Sequence, residues 1–217
     1  MRRVTALHFS ATLLWAVSAA ADSIGPTCGE GEGETCQGGI YWLTYSGDPI
    51  SEDDDETQTF RITFRMNTAG LSIEDVWGVD TVAVKITDGS NLQSGEIFDA
   101  PFGKDNWDGE ADFGLNGDGC ANAGGGFYCA EVSDGGSVPT VGGMLEWVFD
   151  LRISDGTLFT GDFEASVKAR FVNEAGEKVG ELLSEEITLQ VVPEPGSLAL
   201  LGLGLVGLTA LGRPSAA

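Results

Sequence analysis

The stretch Thr57-Gln58-Thr59-Phe60-Arg61-Ile62-Thr63-Phe64-Arg65-Met66-Asn67-Thr68 decides the class of fold. Phe60, Ile62, Phe64 and Met66 fall on one side of an extended chain, and Thr59, Arg61, Thr63 and Arg65 fall on the other. Side chains of a strand point alternately to its two faces, so this pattern describes a strand with one face on a core and one in water. A helix would instead gather apolar residues every three or four positions, and no soluble stretch of the chain does so.

The same period returns on both sides. Residues 79–87 place Val82, Val84 and Ile86 inward and Lys85 outward. Residues 144–153 set Leu145, Trp147, Phe149, Leu151 and Ile153 against Glu146, Asp150 and Arg152. Residues 163–172 set Phe163, Ala165, Val167, Ala169 and Phe171 against Glu164, Ser166, Lys168 and Arg170, and residues 182–191 close the series with Ile187, Leu189 and Val191 inward. Residues 40–46 are rich in aromatic and β-branched types and form a further strand. Turn chemistry separates these runs at Gly47-Asp48-Pro49, Asp88-Gly89-Ser90-Asn91, Ser154-Asp155-Gly156 and Asn173-Glu174-Ala175-Gly176, where Gly176 suits a positive φ. The acidic run 51–56 is expected as a solvated loop, and residues 71–77 as a helical turn or a bulged edge. Residues 92–143 are the least regular, with short strands expected at 96–98 and 126–130. Roughly six to nine strands with turns between them indicate an all-β fold, an antiparallel β-sandwich of immunoglobulin-like or jelly-roll type.

The two ends differ from the middle. Arg2 and Arg3, a short apolar stretch over 9–17 and Ser18-Ala19-Ala20-Ala21 have the order of a secretory signal peptide over residues 1–21, with cleavage after Ala21. An uncut N-terminal anchor is the alternative. At the other end, Val192-Pro193-Glu194-Pro195-Gly196 leads into an uncharged apolar run over 197–211, followed by Arg213. The run is apolar on all faces, which argues against a surface helix, and it falls at the short end of the roughly 17–25 residues that span a bilayer. A single transmembrane helix is therefore expected, with Arg213 holding the tail on the cytoplasmic side. Pro193 and Pro195 cannot sit in a central strand, so the last strand stops near Val191 and the β-sandwich domain occupies residues 22–192.

The order of these parts, with Pro193-Glu194-Pro195, the Leu/Gly helix and Arg213, resembles the PEP-CTERM sorting signal of Gram-negative bacteria, here residues 193–217. The resemblance implies that Pro193, Glu194 and Pro195 are the motif read by an exosortase, an integral-membrane transpeptidase-like enzyme. It also implies that the C-terminal helix holds the protein in the membrane until processing, after which it reaches the cell surface or an extracellular polysaccharide matrix. Members of that family usually end in a cluster of basic residues, whereas Arg213 stands alone here.

The full chain carries 34 acidic and 11 basic residues. With Arg2, Arg3, Arg213 and Glu194 assigned to the ends, the middle holds 33 against 8, a formal charge of −25. Nucleic acid is excluded as a partner, because phosphate contact needs a basic surface. The same charge attracts divalent cations. Four cysteines in an exported chain read as disulfides, paired locally as Cys28 with Cys36 and Cys120 with Cys129. A zinc site built from the four thiolates is the rival reading.

The only histidine is His8, inside the signal, which removes Ser-His-Asp and Cys-His catalysis and histidine metal ligation from the exported part. Calcium takes six to eight oxygen ligands, and Asp105, Asp108, Glu110 and Asp112 offer several over a short span, although the spacing is not that of an EF-hand. A solvated acidic loop accounts for the same residues. Among the tryptophans, Trp147 belongs to a core face, while Trp107, in a polar stretch, is the candidate for glycan stacking; a tryptophan folded over the core edge is the plainer reading. The leading functional expectation is thus a non-enzymatic exported surface or matrix protein, structural or adhesive, associated with exopolysaccharide or biofilm. The alternatives are a calcium-assisted carbohydrate-binding module around Trp107 and a glycan-cleaving enzyme with two carboxylates.

Overall fold

Strand periodicity is realised along most of the chain in the computed structural model, which describes residues 38–53, 57–111, 114–121, 126–154, 156–162, 164–180 and 183–192. Two sheets face each other. The first contains β1 (Ile40–Tyr45), β2 (Ser51–Asp53), β3 (Thr57–Asn67), β5 (Leu92–Asp99), β10 (Met144–Ser154) and β13 (Leu189–Val191), in the order β13-β1-β3-β10-β5, with β2 alongside β3. The second contains β4 (Gly78–Lys85), β6 (Trp107–Ala111), β9 (Tyr128–Val132), β11 (Ala165–Val172) and β12 (Leu183–Ile187), in the order β12-β11-β4-β9-β6. A small hairpin, β7 (Gly114–Asn116) with β8 (Gly119–Ala121), forms a two-stranded ladder of its own against the outer face of the second sheet. The fold is all-β and mostly antiparallel, with one exception: β13 runs parallel to β1. Among the described residues the only helical piece is a 3₁₀ turn over Lys104–Asn106.

The long alternating strands form the centre. β3 pairs with β10 along its whole length, from Met144 opposite Asn67 to Ser154 opposite Thr57. Their inward residues Phe60, Ile62, Phe64, Met66, Trp147, Phe149, Leu151 and Ile153 are buried against Val82, Val84, Val167, Ala169 and Phe171 of the other sheet. Each large side chain buried in this way stabilises the fold by about 1.5–3 kcal/mol. Aromatic contacts tie strands and layers: within the first sheet Phe64 stacks on Trp147 at 5.7 Å, and across the two sheets Tyr128 meets Phe149 edge-on at 5.3 Å. Tyr128 needs room on the neighbouring strand, and Gly109 of β6 supplies it: a Cβ there would lie 2.1 Å from the Tyr128 hydroxyl.

Several expectations change. Residues 51–53 form the strand β2 on the edge of β3 rather than a loop. Residues 71–77 are neither helix nor strand but an irregular link with a turn at Glu74 and Asp75. The stretch 92–143 is more ordered than its composition suggests, because β5, β6 and β9 are full members of the sheets. The final run is two strands, not one. Ile187 and Leu189 are both buried, but the chain leaves one sheet after Ile187 and joins the other at Leu189. Both sheets face one interior, so the alternation passes unbroken through the switch. Val191, expected inward, is exposed because β13 ends beyond the core. Phe163 and the Cys28–Cys36 pairing lie outside the described residues, as do the signal peptide, the sorting motif from Pro193 onward and the apolar C-terminal run. Among the described residues no helix is long and apolar enough to cross a membrane.

Candidate functional site

Trp107 is not in a loop. It opens β6, is only 4% exposed, and meets Trp147 edge-on at 5.6 Å. Its indole Nε1–H donates to the Pro101 carbonyl at 2.9 Å. The ring is therefore committed to the core and to bracing the turn before it, and it offers no face to a sugar; the expectation of a glycan contact at Trp107 is corrected. The reason lies in pattern: Gly109 has no side chain to reveal the inward phase of β6, so a strand with one large apolar residue reads as a polar loop. Along the same strand Asp108 and Glu110 point away from the core and are exposed, facing Glu131 and Cys129 of β9 respectively. Asp105 sits in the preceding 3₁₀ turn. Asp112 lies outside the described residues. Among the described residues no three acidic, histidine or cysteine side chains gather closely enough to hold a metal ion.

The outward face of this second sheet carries a small core of its own. Ala83, Leu115, Phe127 and Cys129 are buried together beneath the β7–β8 hairpin. Cys120 of β8 is disulfide-bonded to Cys129 of β9, as the local pairing predicts. Beside the bond, Glu131 accepts from the Cys120 N–H at 3.0 Å, and Arg170 donates to Asp80 at 2.9 Å. Burial pushes the Asp80 carboxyl above its usual range, against the opposing attraction of Arg170 and a hydrogen bond from Thr81. Lys168 lies over the Phe127 ring at 4.4 Å.

The outward face of the first sheet is built on ion pairs. Arg61 grips Asp150 with two bonds, Nε to Oδ1 at 2.7 Å and Nη2 to Oδ2 at 2.6 Å, and its guanidinium lies 3.4 Å from the centre of the Phe98 ring. One row along, Arg65 pairs with Glu146. Two exposed aromatic residues went unnoticed in the sequence, Phe98 and Phe102. Phe102 is 68% exposed and has φ 65°, a conformation that non-glycine residues seldom adopt. The signal was the triplet Pro101-Phe102-Gly103, a turn in which Gly103 donates back to Ala100.

The chain leaves the fold at one corner of the first sheet. Leu43 faces Leu189, Thr44 faces Gln190 and Tyr45 faces Val191. The Val192 N–H then donates to the Tyr45 carbonyl at 2.8 Å, the last backbone bond before Pro193. Ending the final strand at Val191 is what the prolines require.

Comparison with known proteins places a family signature at this corner. Residues 191–213 match the PEP-CTERM protein-sorting motif. No curated protein matches the chain. Among solved structures, an uncharacterized protein from Nocardia farcinica with an immunoglobulin-like fold is similar at 12% identity, covering 65% of this chain and 82% of its own, with a TM-score of 0.34. The T6 backbone pilin of serotype M6 Streptococcus pyogenes, of modular three-domain structure, is similar at 9% identity, covering 70% of this chain and 35% of its own, with a TM-score of 0.29. The sorting motif is one that implies an exosortase-type processing partner and an exported protein of the bacterial cell envelope or surface. Residues 191–213 thus carry a PEP-CTERM protein-sorting motif, which begins in the last strand of a β-sandwich.

Proposed function

We propose that this is a non-catalytic surface or matrix protein of a Gram-negative bacterium, held in the inner membrane by residues 197–211 until an exosortase cuts it at or beside Pro193-Glu194-Pro195. Residues 1–21 direct export and are removed after Ala21, and residues 22–192 are the part delivered. The β-sandwich then serves as a structural or adhesive element of an exopolysaccharide-rich envelope or biofilm. The observation that carries this reading is the sorting motif over residues 191–213, which starts where the last strand ends. The Cys120–Cys129 bond supports it, because disulfides persist in oxidising compartments outside the cytoplasm. The non-catalytic part rests on chemistry: with His8 in the signal, the delivered part has no histidine, and its acidic surface suits solubility and cation-rich surroundings.

Replacing Pro193, Glu194 and Pro195 together by alanine tests the reading. The altered chain is expected to accumulate in the inner-membrane fraction at precursor length, while the unaltered protein appears shortened in the envelope or medium. Equal release of both would contradict the proposal.

A further inference from the structure

The sorting motif and the fold share residues. The matched segment starts at Val191, and Val191 is also the last residue of β13, opposite Tyr45. Val192 is held to the Tyr45 carbonyl, and Pro193 follows at once. An enzyme that cuts beside Pro193-Glu194-Pro195 therefore meets a substrate whose upstream side is already paired to a sheet. Extended peptides are held by enzymes and receptors through their backbone N–H and C=O groups, as an added strand would be. β1 occupies one edge of residues 190–192 and leaves only the other edge free, so an enzyme cleft that encloses this segment on both sides needs β1 out of the way.

Distance tightens the conflict. Five residues, 193–197, separate Val192 from Leu198, where the apolar run proper begins. Fully extended they reach about 17 Å. An active site at the membrane surface is left with little slack, and the bulk of the β-sandwich stands immediately upstream.

β13 is suited to release. It has three residues, lies at the edge of its sheet, and pairs with β1 alone. Val191 and Val192 are about half exposed, whereas Leu189 is 2% exposed and packs in the core. Opening as far as Gln190 breaks a few edge hydrogen bonds, an event of the low-cost, local kind. Opening past Leu189 withdraws an apolar side chain from the interior and meets a steeper penalty.

We propose that β13 is a gate on processing: the enzyme acts only on chains in which β13 has peeled from β1, and the peeling stops at Leu189. This rests on the processing reading above and adds to it a reason for its rate. When a strand opens and recloses faster than it is cut, cleavage tracks the population of the open form. The fold thereby sets how fast the protein leaves the membrane.

The test uses the full chain in a bacterium carrying its processing enzyme, following conversion of precursor to shortened product over time. Thr44 and Gln190 are Cα partners across the β1–β13 ladder, so Thr44→Cys with Gln190→Cys ties the gate shut. The cross-linked chain is expected to be cut at least about tenfold more slowly, with the rate restored by a reductant. Six Gly/Ser residues inserted between Val192 and Pro193 of the cross-linked chain are expected to restore cutting without reduction. Cutting of the cross-linked chain at the unaltered rate would overturn the gate while leaving processing intact. An unaltered precursor that is never cut would overturn the processing reading and the gate with it.

Discussion

Asp150 points away from the interior of the sandwich yet is only 8% exposed, because Arg61 brackets both its oxygens and Phe98 covers the guanidinium. Removing one member of such a pair leaves the other poorly solvated. Arg61→Ala is expected to lower stability by about 2–3 kcal/mol in urea unfolding, a charge-assisted hydrogen-bond loss. Arg65→Ala, which breaks a pair lying largely in water, is expected to cost less than about 1 kcal/mol. Equal losses would mean that burial does not set the strength of these pairs. Trp107→Ala is expected to cost about 3–5 kcal/mol, since it empties a packed site against Trp147. Asp80 gives a pH dependence. Its folded value lies above the ordinary 3.8, so just above that pH the folded state binds more protons than the unfolded. Its contribution to stability is therefore greatest below about 3.8 and falls as pH rises through the raised folded value. Thermal unfolding of Asp80→Asn against pH is expected to show a shallower decline over that window; an unchanged slope would show that Asp80 titrates normally.

The β7–β8 hairpin depends on its bond to β9. With Cys120→Ser and Cys129→Ser together, amide exchange over 114–121 is expected to quicken while the amides of β3 and β10 keep their protection, because the constraint is local. The chain-entropy view of a short closed loop gives about 2–3 kcal/mol for such a bond. Loss of protection in β3 as well would make the hairpin part of the global fold. Elements also show where the sequence was legible. β3, β10 and β11 each alternate over eight residues or more, so their phase is unambiguous. β6 was hidden by Gly109 and by its outward acids, and β7 and β8 were too short to show a period. The division of 183–191 into β12 and β13 was hidden because both sheets share one interior. Trp107 was misplaced for the same reason as β6, whereas the prolines after Val192 marked the chain exit through backbone chemistry alone. The pairing of Cys120 with Cys129 was legible from proximity in sequence.

The whole molecule is governed by its charge and by its ends. A formal −25 over residues 22–192 destabilises the compact state by self-repulsion. Raising salt from about 0.01 M to about 1 M shortens the Debye length from about 30 Å to about 3 Å, so the melting temperature is expected to rise with salt. A falling melting temperature would show that the Arg61 and Arg170 pairs outweigh the repulsion. Charge and disulfide together suit a protein that works outside the cytoplasm, and the sorting motif supplies the route. The most direct measurement is the intact mass of the protein recovered from outside its host cell. The account predicts a chain that begins at Asp22, ends at or beside Pro193-Glu194-Pro195, and is four hydrogens lighter than its reduced form, two for the Cys120–Cys129 bond and two for the expected Cys28–Cys36 bond. A recovered chain that still carries residues 198–211 would contradict it.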